Sequence, residues 1–190
     1  MKLFRHLVTI TRHRHTVIRH GFRAGIGGQV LFHDLSKYTP TELIPGARYY
    51  QGRRSPNERE REVQGYSSAW LHHKGRNRHH FEYWTDYQPA VRRVMPVKMP
   101  YRYVVEMLCD RLAASKIYQG EAYTDRSGIE YFLRGKQNRF IHPETSDEIE
   151  HLLTVVAEQG EEAAFAETRR RLREERREKR RKTRRETGDG

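Results

Sequence analysis

Three groups of residues in this chain have types and spacings suited to chemistry. The first is His33-Asp34, inside the apolar run Val30-Leu31-Phe32-His33-Asp34-Leu35. An ionised carboxylate is expensive to bury there without a partner, and a metal cation is a partner that also explains the adjacent imidazole. Lys37 follows Asp34 by three residues and His33 by four, so on a helix it projects from roughly the same face. The second group is His72, His73, His79 and His80, lying between Trp70 and Trp84. Neighbouring helical side chains point about 100° apart, so one histidine of each doublet can face a site while the other supports it or faces away. The four-residue spacing from His73 to Asn77 favours His73 within its pair; His79 and His80 stay open alternatives. Nitrogen donors in this doublet–loop–doublet suit one or two borderline metals. The interspersed Lys74, Arg76 and Arg78 equally suit a nucleic-acid contact. The third group is Asp110, an acid in the run Val104 to Leu112, either a further ligand or the ion-pair partner of Arg111 or of a neighbouring helix. His6, His15, His20, His142 and His151 read as surface, capping or partnered polar groups.

The elements that must position these groups are helical nearly throughout. Leu3, Leu7, Ile10, Val17, Ile18 and Phe22 recur at helical spacings, and Gly25, Gly27 and Gly28 end that segment. Val30 to Leu35 reads as a short buried helix. Thr39-Pro40-Thr41-Glu42 has the form of a capping box opening a helix towards Gln51. Ser55-Pro56-Asn57-Glu58 repeats that signature and starts a helix expected to reach Lys74, where Gly75 ends it. A loop rich in aromatics and prolines runs on through Pro100. Tyr103, Val104, Met107, Leu108, Leu112 and Ile117 form the next amphipathic helix, stopped near Gly120. Thr145 to Glu148 caps a last core helix carrying Ile149, Leu152, Leu153, Val155 and Val156. No useful stretch alternates with period two, so the expected fold class is all-α.

The chain has 190 residues, and its 37 Lys plus Arg against 25 Asp plus Glu give a formal charge of +12. Residues 169–190 hold 12 basic and 5 acidic residues, net +7, and Leu172 is the only large apolar residue between Arg169 and Arg185. One domain over residues 1–160 is therefore expected, followed by a basic, solvent-exposed helical or disordered tail over 161–190. That tail reads as a solubilising extension, with weak, non-specific, salt-sensitive nucleic-acid binding through 169–185 as its alternative. No aromatic residue is interleaved there to stack on bases. The single cysteine, Cys109, excludes an internal disulfide and fits a reducing compartment. No apolar run is long enough for a membrane span, and Thr9 and the Arg12–His15 cluster interrupt the early apolar stretch. No secretory leader and a cytoplasmic location are therefore expected.

Together these residues resemble the HD-domain superfamily, which comprises helical metal-dependent phosphohydrolases and relatives. Its pattern is a helix-borne His, an adjacent His-Asp pair, and a late Asp in another helix. His13, with Val17 four residues on, matches the first element. His33-Asp34 followed by Leu35-Ser36-Lys37 looks like the His-Asp-x-x-Lys core, and Asp110 in Cys109-Asp110-Arg111-Leu112-Ala113 resembles the terminal ligand. His73, His79 and His80 are similar to the extra histidines of binuclear members. The resemblance covers residues 1–120. HDLSKYTPTE, HHKGRNRHHFEYW and IHPET more narrowly resemble an uncharacterised HD-like family of bacterial and phage proteins, which extends the likeness to residue 158. No Gly-Tyr-Pro follows His80, so the likeness does not reach the cyclic-dinucleotide phosphodiesterases.

The resemblance implies an HD-domain-like helical bundle with a charged C-terminal helical extension. It implies a metal-dependent phosphohydrolase acting on a nucleotide or other small phosphorylated substrate. One or two divalent ions of Mn, Fe, Co, Ni or Zn would be held, with Asp34 bridging. His13, His33 and Asp110 would complete one site, and His73, His79 or His80 the other. Lys37 is expected to pair with a phosphate oxygen, and Lys74, Arg76 and Asn77 to bind more of the substrate. Glu82 is expected to orient a ligand histidine in preference to carrying a proton. The alternatives are a di-iron oxygenase of the same superfamily, and a non-catalytic relative that binds nucleic acid or protein.

Overall fold

The computed structural model describes residues 1–188, with side chains described through Arg185. Apolar residues at helical spacing make α1 (Lys2–Ala24), which ends where Gly25 adopts φ 90° and bonds back to the Gly21 and Phe22 carbonyls. A short α2 (Gly27–Val30) follows, then a turn through residues 31–34 and a 3-10 turn at Leu35–Tyr38. The apolar run was expected to be a buried helix, but Leu31, Phe32 and Leu35 are exposed while His33 and Asp34 are buried. Val30 and the polar pair occupy the interior, while the other apolar residues of the run face out.

Next come α3 (Pro40–Arg48), α4 (Pro56–Gln64) and α5 (Ser68–Lys74). The expected capping box at α3 does not form: Thr39 Oγ1 donates to Ser36 O at 2.7 Å, and Glu42 is buried. The single helix expected over 56–74 is two, because Gly65 at φ 79° ends α4 and the Ser67 side chain caps α5 by accepting from Trp70 N. The loop expected through Pro100 contains a 3-10 turn at Phe81–Tyr83 and an antiparallel hairpin, β1 (Thr85–Gln88) and β2 (Arg93–Pro96), pairing Thr85 with Pro96. These four-residue strands are mostly exposed and too short to show an alternating pattern.

The core is organised around α6 (Tyr101–Gln119), whose Val104, Val105, Leu108 and Leu112 are fully buried and which packs most extensively on α1. Then follow α7 (Ser127–Arg134) and α8 (Pro143–Gln159), which supplies Ile149, Leu152, Leu153 and Val156 to the core. α8 begins at Pro143, two residues before the expected cap, and Thr145 instead accepts a bond from Met99 N at 3.0 Å. The last helix is α9 (Glu161–Gly188). Its start belongs to the core: Ala164, Phe165, Thr168 and Leu172 are buried, and Thr168 Oγ1 donates to Ala24 O at 3.0 Å. The exposed basic stretch therefore begins at Arg173, later than the expected boundary at 161. The mostly helical fold agrees with the expected all-α class, and no helix among the described residues is long and apolar enough to cross a membrane.

Candidate metal centre

Helix periodicity and one turn bring the polar groups together. His6, His13 and His20 are seven residues apart on α1 and all are buried. Glu106 and Asp110, four residues apart, share a face of α6. Asp34 lies in the turn after α2 with φ 53°, a left-handed conformation that Asp tolerates better than most residues. Arg14 of α1 clamps this turn, donating from Nη2 to Leu31 O at 2.5 Å and from Nε to His33 O at 3.2 Å.

The two carboxylate oxygens of Asp34 face different partners. Oδ2 lies 3.2 Å from His33 Nε2, 3.8 Å from His13 Nε2 and 2.6 Å from Lys37 Nζ. Asp110 Oδ1 completes that side, 2.9 Å from His13 Nε2 and 3.5 Å from His33 Nε2. Oδ1 of Asp34 lies 3.2 Å from His73 Nε2 and 3.5 Å from His79 Nε2, with His80 joining this side. Three sets of donors able to hold a metal ion result, each with its atoms within 4.8 Å of one another: His13, His33, Asp34 and Asp110; Asp34, His73, His79 and His80; and, without Asp34, His33, His79 and Glu106. The two sets that share Asp34 are the larger. The Nε2 atoms of His33, His73, His79 and His80 are buried without a hydrogen-bond partner. Orphaned buried nitrogens are rare in folded proteins, and a cation in each set would satisfy those that belong to it.

The far sides of the rings are tied down. His33 Nδ1 donates to Glu106 Oε1 at 3.0 Å, and His79 Nδ1 lies 3.3 Å from the same oxygen. Gln29 Nε2 donates to Glu106 Oε2 at 2.5 Å and fixes that carboxylate. His73 Nδ1 and His72 Nδ1 donate to the two oxygens of Glu42 at 2.7 and 2.6 Å. With the proton held at Nδ1, the Nε2 lone pair is free to ligate.

Against burial, the Asp34 carboxylate raises the proton affinity of His33 and His73, so a metal held there would displace protons from them. Burial disfavours charge on Asp34, but His33, Lys37 and His73 outweigh it and hold the carboxyl well below its usual range. Asp110 is likewise lowered against burial by His13 and His33. Burial, reinforced by His79 and His73, pushes His80 well below the ordinary imidazole value. Glu106 is brought down to about 2, its burial outweighed by His33 and His79.

The donors open onto a cavity of about 830 Å³, lined by His13, Lys37, His73, His80 and Asp110. Arg61, Arg111, Arg139, Trp70, Phe81 and Tyr118 form other parts of its wall. A family model described as a family of unknown function, DUF5662, matches residues 2–155. The chain belongs to DUF5662. No curated protein and no solved structure matches it. The segment shared with DUF5662 contains every donor of all three sets, whereas α9 lies outside it.

Within this DUF5662 segment all seven residues singled out as ligands converge, and both His79 and His80 join the second set. Asp110 faces His13 of the neighbouring α1 and His33, and forms no ion pair with Arg111. Other expectations need correction. Lys74 and Arg76 do not line the cavity: Lys74 ends α5 half-buried, and the exposed Arg76 beyond it donates to His72 O. Asn77 supports rather than binds: its Nδ2 donates to His73 O at 2.9 Å and to Ser36 Oγ at 2.9 Å. Glu82 lines the cavity with Oε2 buried and unpartnered, and the carboxylates that orient the histidines are Glu42 and Glu106. Glu42 was hidden by its resemblance to a capping residue. Glu106 had a legible signal, its place one helical turn before Asp110. His6 and His20 are buried, with His20 against Cys109 O at 3.4 Å.

Proposed function

We propose that the protein is an HD-type metal-dependent phosphohydrolase whose substrate is a nucleotide or another small phosphorylated compound. The observation that carries this reading is Asp34, with one carboxylate oxygen turned to His13, His33 and Asp110 and the other to His73, His79 and His80. The donor set fits one or two divalent transition ions: imidazole and carboxylate in a buried cluster, with orphaned nitrogens aimed inward. Bound there, such ions activate water and offset the charge that develops at phosphorus.

The chain's own residues supply the rest. Glu42 and Glu106 hold the imidazoles in the ligating tautomer. Lys37 reaches the cavity beside Asp34 and offers its ammonium to a phosphate oxygen. Arg61 and Arg111 add positive charge to the cavity wall, which favours entry of an anion. Glu82, with Oε2 unpartnered at the cavity, is the carboxyl to which we assign proton delivery to a leaving oxygen. The test is a phosphate-release screen over small phosphorylated compounds, using protein purified without chelator and assayed for metal in the same samples. Release that disappears with chelation and returns with added metal is expected. A metal-loaded protein that releases no phosphate and gives a coupled di-iron signal would transfer the site to the oxygenase alternative.

A further inference from the structure

Two guanidinium groups line the same cavity, and both lie over the ring of Phe132. Arg111 follows Asp110 on α6, and Arg139 follows the 3-10 turn Lys136–Asn138 after α7. Their guanidinium carbons lie 5.6 and 4.7 Å from the centroid of one ring, that of Phe132. Arg139 is fixed in place, donating to Phe132 O at 2.5 Å and to Tyr131 O at 3.4 Å. Arg111 Nε is buried with no hydrogen-bond partner, and its Nη2 reaches only Met107 Sδ at 3.9 Å. Among the described residues neither forms an ion pair with a carboxylate, unlike Arg54 with Glu62, Arg23 with Glu162 or Arg171 with Glu148. Burial, and then the charge of Arg139, lowers the proton affinity of Arg111, as close like charges must.

Two guanidinium groups beside a cavity, with Asp110 and Glu82 near them but no carboxylate in ion-pair contact, favour an anion with several oxygens that joins them. We propose that Arg111 and Arg139 form a second phosphate subsite, so that the substrate is a small molecule bearing two phosphoryl groups. One group would lie at the histidine–aspartate centre and the other at this arginine pair. The substrate class rests on the hydrolase reading; the subsite itself rests on the arginines alone. Phe132 braces both cations, and Tyr131 and Phe140 line the cavity next to them, giving the connecting part of the molecule an aromatic surface.

The experiment is calorimetric titration of the full chain with inorganic phosphate, with metal content and circular dichroism measured on the same samples. The parent is expected to bind phosphate in two steps. Arg139→Gln should weaken one step about tenfold or more while metal content stays parental. Arg111→Gln should give the same loss from the other partner, so a folding defect in one variant leaves the second informative. Arg139→Lys, which keeps the charge but not the planar fork, should fall between. Phosphate binding by both folded glutamine variants that matches the parent overturns the subsite. A parent that holds no metal, yet loses a phosphate step with either glutamine variant, keeps the subsite and removes the hydrolase reading.

Discussion

His33 donates its Nδ1 proton to Glu106 Oε1 across 3.0 Å and turns its Nε2 to Asp34 Oδ2 at 3.2 Å. Glu106 thus acts on the centre without belonging to either set that contains Asp34, and it serves His79 in the same way. Glu106→Gln should therefore weaken metal binding by about 10- to 100-fold, with every Nε2 donor still present. Competition against a colorimetric chelator measures this, and an unchanged affinity would show that the carboxylate does not set the tautomer.

Glu42 orients only the second set, through His73. Glu42→Gln should lose one ion well before the other as chelator is raised. Biphasic metal release in the variant against a single phase in the parent is the expected record. Loss of both ions together would mean that the two sets do not load separately.

Lys37 pairs with Asp34 Oδ2 and faces the cavity. Lys37→Ala should retain metal, since an ammonium competes with a cation for that oxygen, while phosphate affinity drops about tenfold. Titration with inorganic phosphate alongside elemental analysis separates the two effects. Parental phosphate affinity would end the assigned role of Lys37.

Acid should destabilise the fold through a histidine that lies outside all three donor sets. His20 is held down to about 4, chiefly by burial and with Lys116 adding to it. In the unfolded chain the same ring titrates near the ordinary imidazole value of 6.5. Below that value the unfolded chain takes up a proton that the folded chain refuses, so stability falls from pH 6.5 to about 4 and is unaffected by this group above 6.5. The loss is on the order of 2–3 kcal/mol. Denaturant midpoints for His20→Gln should fall less steeply over that window than for the parent; parallel curves would contradict the assignment.

The basic stretch and the core meet inside α9. Phe165 is fully buried, so Phe165→Ala should cost about 3–5 kcal/mol in chemical denaturation. Truncation after Arg173 should leave metal content and fold intact while removing any salt-sensitive nucleic-acid retention. A truncated chain that keeps all such retention would place it on the body instead.

The ligands were legible because their chemistry is local in the sequence: a His-Asp pair where apolar residues surround it, histidine doublets, and an acid in an apolar helix. Their supports were not. Glu42 sits where a capping residue belongs, and only the fold shows that it turns inward to His72 and His73. Arg139 had no sequence signal, since its partner Arg111 is brought beside it by the packing around Phe132. The helical class followed from apolar spacing. The break at Gly65 and the turn at Asp34 depend on left-handed backbone angles that apolar periodicity does not encode.

Asp34 is the residue shared by the two larger donor sets, and Asn keeps its size and its tolerance of the left-handed conformation. Elemental analysis of the parent and Asp34→Asn, purified in parallel without chelator, is therefore the most direct test. A metal-bearing parent, with both ions lost in a folded variant, is the result expected; a parent without bound metal, or a variant with parental stoichiometry, contradicts a shared centre at Asp34.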